Sequence, residues 1–199
     1  RFSDVFGDCG GPIERVESGA LPVFGKPHHQ VSAFLRRELA ASGARAAPGL
    51  RADGTAADLS AVAACHMAIS EALERWAFLA VSDGPLSRRY GFIEDGSEGG
   101  MAALPGLFRQ PVRRLARLKA LERHALVSWW DGWLPASRVV SPYDGAEAVR
   151  IHHDAGSGEV ALLHRRTRAG VAYGHAAAAS LAEALRKAAI ELARAEAAL

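Results

Sequence analysis

Cysteine is scarce in this chain, with only Cys9 and Cys65 among 199 residues. Two isolated thiols match neither the paired spacing of a zinc site nor the several bridges of a disulfide-rich secreted domain. Long apolar runs are also missing, since no stretch approaches the ~18 residues of a membrane-spanning helix. The opening RFSDVFGDCGG lacks the basic and then apolar build of a signal peptide. These absences predict a cytoplasmic protein that is neither exported nor inserted in a membrane.

An excess of charge of one sign is missing as well. The 24 Lys and Arg residues nearly balance the 22 Asp and Glu residues, and aromatic residues make up only 7% of the chain. Nucleic-acid binders usually carry a clustered basic surface with aromatic side chains among the charges, so this class is not expected. The 49% of hydrophobic residues is enough to bury a core, and we predict a single domain over residues 1–199.

The first half of the chain contains two extended segments and two helical ones. PIERVES and ALPVFGKPHH are bounded by Pro and Gly and predict strands, whereas VSAFLRRELAAS repeats apolar residues at roughly helical spacing. ARAAPGLRADGT then predicts a loop. A long helix is expected from Leu59 up to the breaker DGP at Asp83–Pro85, capped by Asp58 or a neighbouring polar residue. The segment from Gly84 to Pro111 is rich in Gly and predicts a long loop, with a short strand near residues 90–93.

The second half begins with another predicted helix, from Val112 to Trp130, with one apolar face. Next, AVRIHHDAGSGEVALLHRRTRAGVAYGHA alternates apolar and polar residues between two turn sequences, which predicts three antiparallel strands with an exposed edge. SLAEALRKAAIELARAEAAL closes the chain as an amphipathic helix. Helices packed on an antiparallel sheet define the α+β class.

The two central helices share a sequence pattern. ALERWAFLAVSDG at 72–84 and ALERHALVSWWDG at 120–132 begin alike and end alike, which indicates an internal pseudo-repeat. Carboxylates on such helices are typical ligands for magnesium, and neighbouring arginines are typical ligands for phosphate. Glu71, Glu74 and Arg75 of ISEALERWAF are the first candidates. An alternative left open by the spacing is that Glu71 and Arg75 form an ordinary ion pair on the helix surface.

Four segments of the chain carry a family resemblance: GPIERVESGALPVF, ISEALERWA, LKALERHALVSWW and ALRKAAIELAR. The first is similar to the opening strands of the YcaO family, and the other three resemble its three signatures in the right order. The resemblance implies a YcaO-like fold that binds ATP and magnesium. The residues that match the signatures, and that the resemblance implies for cofactor binding, are Glu71, Glu74, Arg75, Glu122, Arg123 and Glu191. Of these, the glutamates Glu71, Glu74, Glu122 and Glu191 are implied as magnesium ligands.

Four positions depart from the family pattern. Met67 replaces a serine, Lys119 a glutamate, His124 an aspartate and Arg194 a glutamine. Lys119 has two interpretations: its ammonium group neutralises the acidic cluster and weakens metal binding, or it points to solvent on the far side of its helix.

The resemblance also implies an activity. YcaO proteins use ATP to activate a backbone amide of a peptide during maturation of ribosomally made peptides, forming an azoline ring as cyclodehydratases do, or a thioamide. A precursor peptide is the implied substrate, and a partner protein and a homodimer are the other implied associations. The alternative is a non-catalytic YcaO-like subunit that binds a precursor peptide or a catalytic partner.

Overall fold

The computed structural model describes residues 3–40, 52–82 and 109–199. Two compact units divide the chain: the first consists of Arg1–Ala20 with His28–Arg113, and the second of Leu21–Pro27 with Arg114–Leu199. A single domain over residues 1–199 stays a prediction. None of the helices described combines the length with the apolar character needed to cross a bilayer.

The first unit is built on a three-stranded sheet. Short 3-10 turns at Ser3–Val5 and Gly7–Cys9 precede its strands. Its strands are β1 (Ile13–Val23), β2 (Lys26–Leu35) and β3 (Gly54–Asp58), of which the β1–β2 end at Leu21–Pro27 belongs to the second unit. They lie in the order β1-β2-β3, and β3 runs antiparallel to β2 from His29 opposite Asp58 to Ala33 opposite Gly54. A one-turn helix, α1 (Arg37–Ala40), and a long helix, α2 (Ala61–Ser82), complete the unit.

The helix predicted in VSAFLRRELAAS was wrong, because its first five residues continue β2. Val31, Ala33 and Leu35 alternate into the core, and Phe34 on the opposite face is covered by the guanidinium of Arg15, 3.8 Å from the ring centre. This period of two is that of a strand, and among the described residues of this segment the helix is limited to α1. The loop predicted in ARAAPGLRADGT was also wrong at its end, where β3 begins.

The long helix predicted from Leu59 is confirmed as α2, and Ser60 provides its cap: the Ser60 hydroxyl accepts the Ala63 N–H at 3.3 Å. α2 packs on the sheet through small side chains, including Ala64, Ala68 and Ala72, which are fully buried. The long loop predicted from Gly84, with its short strand near residues 90–93, lies outside the described residues up to residue 108.

The second unit contains the strands β4 (Ala136–Val139), β5 (Glu147–Ile151), β6 (Glu159–Arg166) and β7 (Val171–Ala178), with the helices α3 (Arg109–Trp130) and α4 (Leu181–Ala197). The strands form an antiparallel sheet in the order β4-β5-β6-β7. The three predicted strands are confirmed, and β4 adds a fourth that pairs with β5. Among the strands that the structure describes, β7 is therefore the one of the three that lies at an edge.

The two long helices of this unit cover opposite faces of the sheet. α3 buries Leu121 and Ala125 against a face that includes Ala177, whereas the backbone of α4 lies against Gly174. Residues 174 and 177 of β7 point to opposite faces because side chains alternate along a strand. The α4 helix begins at a cap in which the Ser180 hydroxyl accepts the Glu183 N–H at 3.3 Å.

The structure reveals a repeat that differs from the ALER pattern. The segments GTAADLSAVAACHMAISE, from Gly54, and GHAAAASLAEALRKAAIE, from Gly174, share Gly, Ser, Ala and Glu at the same spacing. Each forms an edge strand, a serine cap and a helix. An alanine Cβ at Gly54 would lie 2.0 Å from the Ala68 carbonyl oxygen, and one at Gly174 would lie 2.1 Å from the Ala188 carbonyl oxygen. Both glycines therefore permit the same close strand-to-helix contact.

The two ALER tetrapeptides occupy the same place in α2 and α3, which are both 22 residues long. They nevertheless present different faces to their sheets: Ala72 is fully buried and its counterpart Ala120 is exposed. The glycine-to-glutamate repeat is consequently the one that shares both sequence and packing.

Candidate functional site

The first unit places Glu71, Glu74 and Arg75 on one side of α2, and all three side chains are half-buried. The contact of α2 with Gly54 holds this side of the helix close to the start of β3. The spacing of the three residues along the helix predicted that they share one side of α2. The close contact between Gly54 and α2 sets how far this side lies from the sheet.

Two of these side chains contact the backbone that leads into β3. Glu71 Oε2 accepts the Thr55 N–H at 3.0 Å, and Arg75 Nη1 donates to the Ala52 carbonyl oxygen at 3.2 Å. Asp53 anchors the same segment to β2, since its carboxylate accepts the Leu35 N–H at 2.8 Å and its own N–H donates to the Ala33 carbonyl oxygen at 2.9 Å. Glu71 and Arg75 thus interact with a fixed backbone segment and are more than a pair of solvated surface charges.

The second unit engages Glu122 at the edge of β7. Its Oε1 lies 2.7 Å from His175 Nδ1, and its Oε2 accepts the Ala177 N–H at 3.1 Å. The carboxylate therefore bridges α3 and β7, an edge strand of the sheet as far as the structure describes the chain. It also occupies a backbone donor of the edge that an added strand from a partner would need.

Glu191 of α4 is engaged by a guanidinium. Arg194 Nη1 lies 2.7 Å from Glu191 Oε1 and 2.9 Å from Oε2, one turn along the helix. Arg123 on α3 is exposed, as are Lys119 and His124; His124 Nδ1 lies 3.5 Å from the Ser128 hydroxyl. Met67 is 49% exposed on α2.

His175 is a candidate that the sequence did not identify. Its hydrogen bond to Glu122 raises the pKa of the imidazole above the ordinary value of 6.5; burial opposes the rise, and the charges of Glu122 and Glu191 add to it. Together, Glu122, Glu191 and Arg123 make this part of the second unit a cluster of interacting charges.

We expect Glu122→Gln to lower the pKa of His175. The hydrogen bond to Glu122 raises the pKa of His175 in the folded state. Its contribution to stability is therefore fully present below the unfolded-state pKa of about 6.5, and it is lost as the pH rises through the folded-state pKa. Imidazole proton shifts measured by NMR across a pH series test this. The control is Glu147→Gln, which removes a carboxylate that lies 3.9 Å from the His164 ring and should leave the pKa of His175 unchanged. An unshifted His175 titration in Glu122→Gln would contradict the interpretation.

Neither a protein-family profile nor a curated protein matches this sequence. Among solved structures, the chain is similar to YcaO from Methanopyrus kandleri bound with AMPPCP and Mg2+, with a TM-score of 0.66 at 12% sequence identity. The chain has a YcaO-like fold. The likeness covers 94% of this chain and 62% of that one, so this chain spans less than two thirds of the length of the YcaO chain. The predicted α+β class is confirmed.

A YcaO-like fold raises the question of whether these residues suit ATP and magnesium. Magnesium takes oxygen ligands and is often held by one or two carboxylates together with phosphate oxygens and water. Glu71 and Glu74, one helical turn apart and beside Arg75, provide suitable groups in the first unit. In the second unit, Glu122 and Glu191 already face His175 and Arg194. Within residues 3–40, 52–82 and 109–199, no group of three or more His, Cys, Asp or Glu side chains is arranged to hold a metal ion.

Proposed function

We propose that this protein is a YcaO-like enzyme that binds ATP with magnesium and activates a backbone amide of a peptide. The contacts of Glu71 and Arg75 with the anchored backbone of residues 52–55 carry this proposal, together with Glu74 on the same side of α2. The YcaO-like fold supports it, because the similar Methanopyrus kandleri protein was solved with AMPPCP and Mg2+. Azoline or thioamide formation is the corresponding reaction.

Each residue of the first unit has a definable role in this proposal. Glu71 and Glu74 provide carboxylate oxygens for magnesium, and Arg75 provides N–H donors for phosphate oxygens. The bond from the Thr55 N–H fixes the direction of the Glu71 carboxylate, which reduces the ordering that binding requires. Bound ATP would supply the phosphoryl group that turns an amide oxygen into a leaving group. For Glu122, Arg123 and Glu191 of the second unit, the implied cofactor binding stays a prediction.

Titration calorimetry of AMPPCP with magnesium tests the nucleotide site. We expect micromolar binding to the native protein and at least about tenfold weaker binding to Glu74→Gln, because a carboxylate ligand becomes a neutral amide. Glu17→Gln makes the same charge change at an exposed position of β1 and should bind like the native protein.

The second candidate function is a non-catalytic YcaO-like subunit that binds a precursor peptide or a catalytic partner. The pairing of Glu122 with His175 and of Glu191 with Arg194 favours it, since both carboxylates already have cationic or hydrogen-bonding partners. If the calorimetric titration of the native protein gives no heat of binding even at millimolar nucleotide, the non-catalytic function is favoured. The precursor peptide, the partner protein, the homodimer and the cytoplasmic location stay predictions.

A further inference from the structure

The four-stranded sheet of the second unit ends at β7 on one side and at β4 on the other, as far as the structure describes the chain. At β7, the Glu122 carboxylate already accepts the Ala177 N–H at 3.1 Å, which obstructs the addition of a strand there. The edge formed by β4 is therefore better suited to contact with another strand.

The hydrogen bonds between β4 and β5 fix which backbone groups face outward. The His152 N–H donates to the Pro135 carbonyl oxygen at 2.9 Å, and the same register continues through Ser137. In an antiparallel pair, alternate residues direct both their N–H and their C=O toward the neighbouring strand. Pro135 and Ser137 therefore face β5, whereas Ala136 and Arg138 direct their backbone groups away from it.

Large apolar side chains at the two ends of β4 are strongly exposed. Trp133, just before the strand, is 82% exposed, and Val140, just after it, is 92% exposed. Trp130 at the end of α3 is 78% exposed. Exposed apolar surface often marks an interaction site, and Trp is enriched among the residues that dominate binding energy at interfaces. A strand added beside β4 would cover apolar side chains at both of its ends.

We propose that β4 pairs antiparallel with β4 of a second copy of this chain, around a two-fold axis at Ser137. A two-fold interface uses the same surface on both copies, so outward-facing residues have to meet outward-facing residues. Ala136 of each copy then lies opposite Arg138 of the other, and their backbone groups form the new hydrogen bonds. The two four-stranded sheets thereby join into one continuous sheet.

Charge selects this register. A two-fold axis at Arg138 would place two guanidiniums directly opposite each other, which is destabilising. With the proposed axis, Arg138 of the second copy lies opposite Ala136, whose cross-strand neighbour Ile151 packs in the core cluster with α3. The α3 helix ends at Trp130 and is followed by the exposed Asp131, and the last carbonyl groups of a helix carry partial negative charge. Arg138 of each copy thus meets the negative end of α3 in the other.

The Arg138 side chain can make this contact at little cost. It is 87% exposed, and its ion pair with Glu147 spans 3.6 Å. Exposed ion pairs contribute little to stability, so the guanidinium can turn toward the second copy without a large loss.

Disulfide trapping in the full chain tests the position of the axis. Ser137 would lie opposite Ser137 of the second copy, in a pair whose Cα atoms are about 4.5 Å apart, within the usual range for a disulfide. We expect Ser137→Cys to form a disulfide-linked dimer under mild oxidation, with mass spectrometry locating the bond at residue 137. The control is Ser157→Cys, in the exposed segment between β5 and β6, which should give no bond at residue 157.

Sedimentation velocity measures the dimer without a cross-link. Ala136→Pro removes an outward N–H of β4 and leaves the pairing with β5 intact, so we expect the dissociation constant of the dimer to rise at least about tenfold. Tyr173→Pro is the matched control at β7: residue 173 alternates in step with Ala177, so its N–H also faces outward. This control should dimerise like the native protein, and circular dichroism verifies that both variants are folded.

Three results would overturn the proposal: a native protein that sediments as a monomer throughout the micromolar range, a folded Ala136→Pro protein that dimerises as strongly as the native one, or no more trapped dimer in Ser137→Cys than in Ser157→Cys. If Ala136→Pro fails to fold, the two cysteine variants still decide. The dimer is independent of the proposed function, because the acidic residues of α2 belong to the first unit. Failure of that function appears separately, as absence of AMPPCP binding in the native protein.

Discussion

Replacing Gly174 with alanine is expected to destabilise the second unit by about 3 kcal/mol or more. The added Cβ would lie 2.1 Å from the Ala188 carbonyl oxygen and 2.2 Å from the Leu192 nitrogen. Both are backbone atoms of α4, so neither can move aside as the end of a flexible side chain would. Relief of the overlap requires α4 to separate from β7, which would open the buried contact between them.

Urea denaturation followed by circular dichroism measures this effect. Gly19→Ala is the matched control, because an alanine Cβ at Gly19 in β1 meets no atom within 4 Å. We expect this control to be neutral or to stabilise by up to about 1 kcal/mol, since alanine reduces the entropy of the unfolded chain. Equal stabilities of Gly174→Ala and Gly19→Ala would show that the close strand-to-helix contact does not exist.

Removal of the Glu196 carboxylate is the second large effect, and we expect Glu196→Ala to cost about 2 kcal/mol. Arg165 donates from Nε and Nη2 to the two oxygens of Glu196. The same guanidinium lies 4.9 Å from the centre of the Phe24 ring, and that ring centre lies 4.6 Å from the centre of the Tyr143 ring, with the two planes tilted by 33°. Without Glu196, a guanidinium that is only 33% exposed would lose its carboxylate partner.

The control for this prediction is Glu17→Ala, which removes an exposed ion pair with Arg15. Exposed pairs contribute little, so a change of no more than about 0.5 kcal/mol is expected. Thermal and urea unfolding of both variants provide the comparison. A Glu196→Ala protein as stable as Glu17→Ala would show that the Arg165 contact is only a surface bridge.

Local patterns predicted most of the helices and strands. α2, α3 and α4 follow from apolar spacing over many turns, and β5 to β7 follow from alternation between turn sequences. VSAFLRRELAAS shows the limit of local patterns, because its apolar residues fit two periodicities. Val31, Ala33 and Leu35 alternate as in a strand, whereas apolar residues three or four positions apart also fit a helix. Packing of Val31, Ala33 and Leu35 in the core decides between the two.

Part of the candidate site was accessible from the sequence and part was not. Glu71, Glu74 and Arg75 lie within one helix, so their shared side follows from helical geometry alone. His175 comes from a strand and meets Glu122 from a helix far away in the chain, and no local pattern relates them. The repeat from Gly54 and Gly174 exists in the sequence as equal spacing, but Ala and Glu are common in all helices, and the two glycine contacts are what distinguish the repeat from ordinary helical composition.

The amino-acid sequence by itself determined the α+β class, the long helices and the acidic residues of α2, because these depend on periodicities and spacings along a continuous segment. Tertiary structure alone decided which carboxylates are engaged by the protein itself: Glu122 by His175 and Ala177, and Glu191 by Arg194. The physical reason is that a carboxylate's partner depends on side-chain orientation and on which strand and helix meet in space. Helical spacing makes a pairing such as Glu191 with Arg194 possible, but the packed structure determines whether it forms.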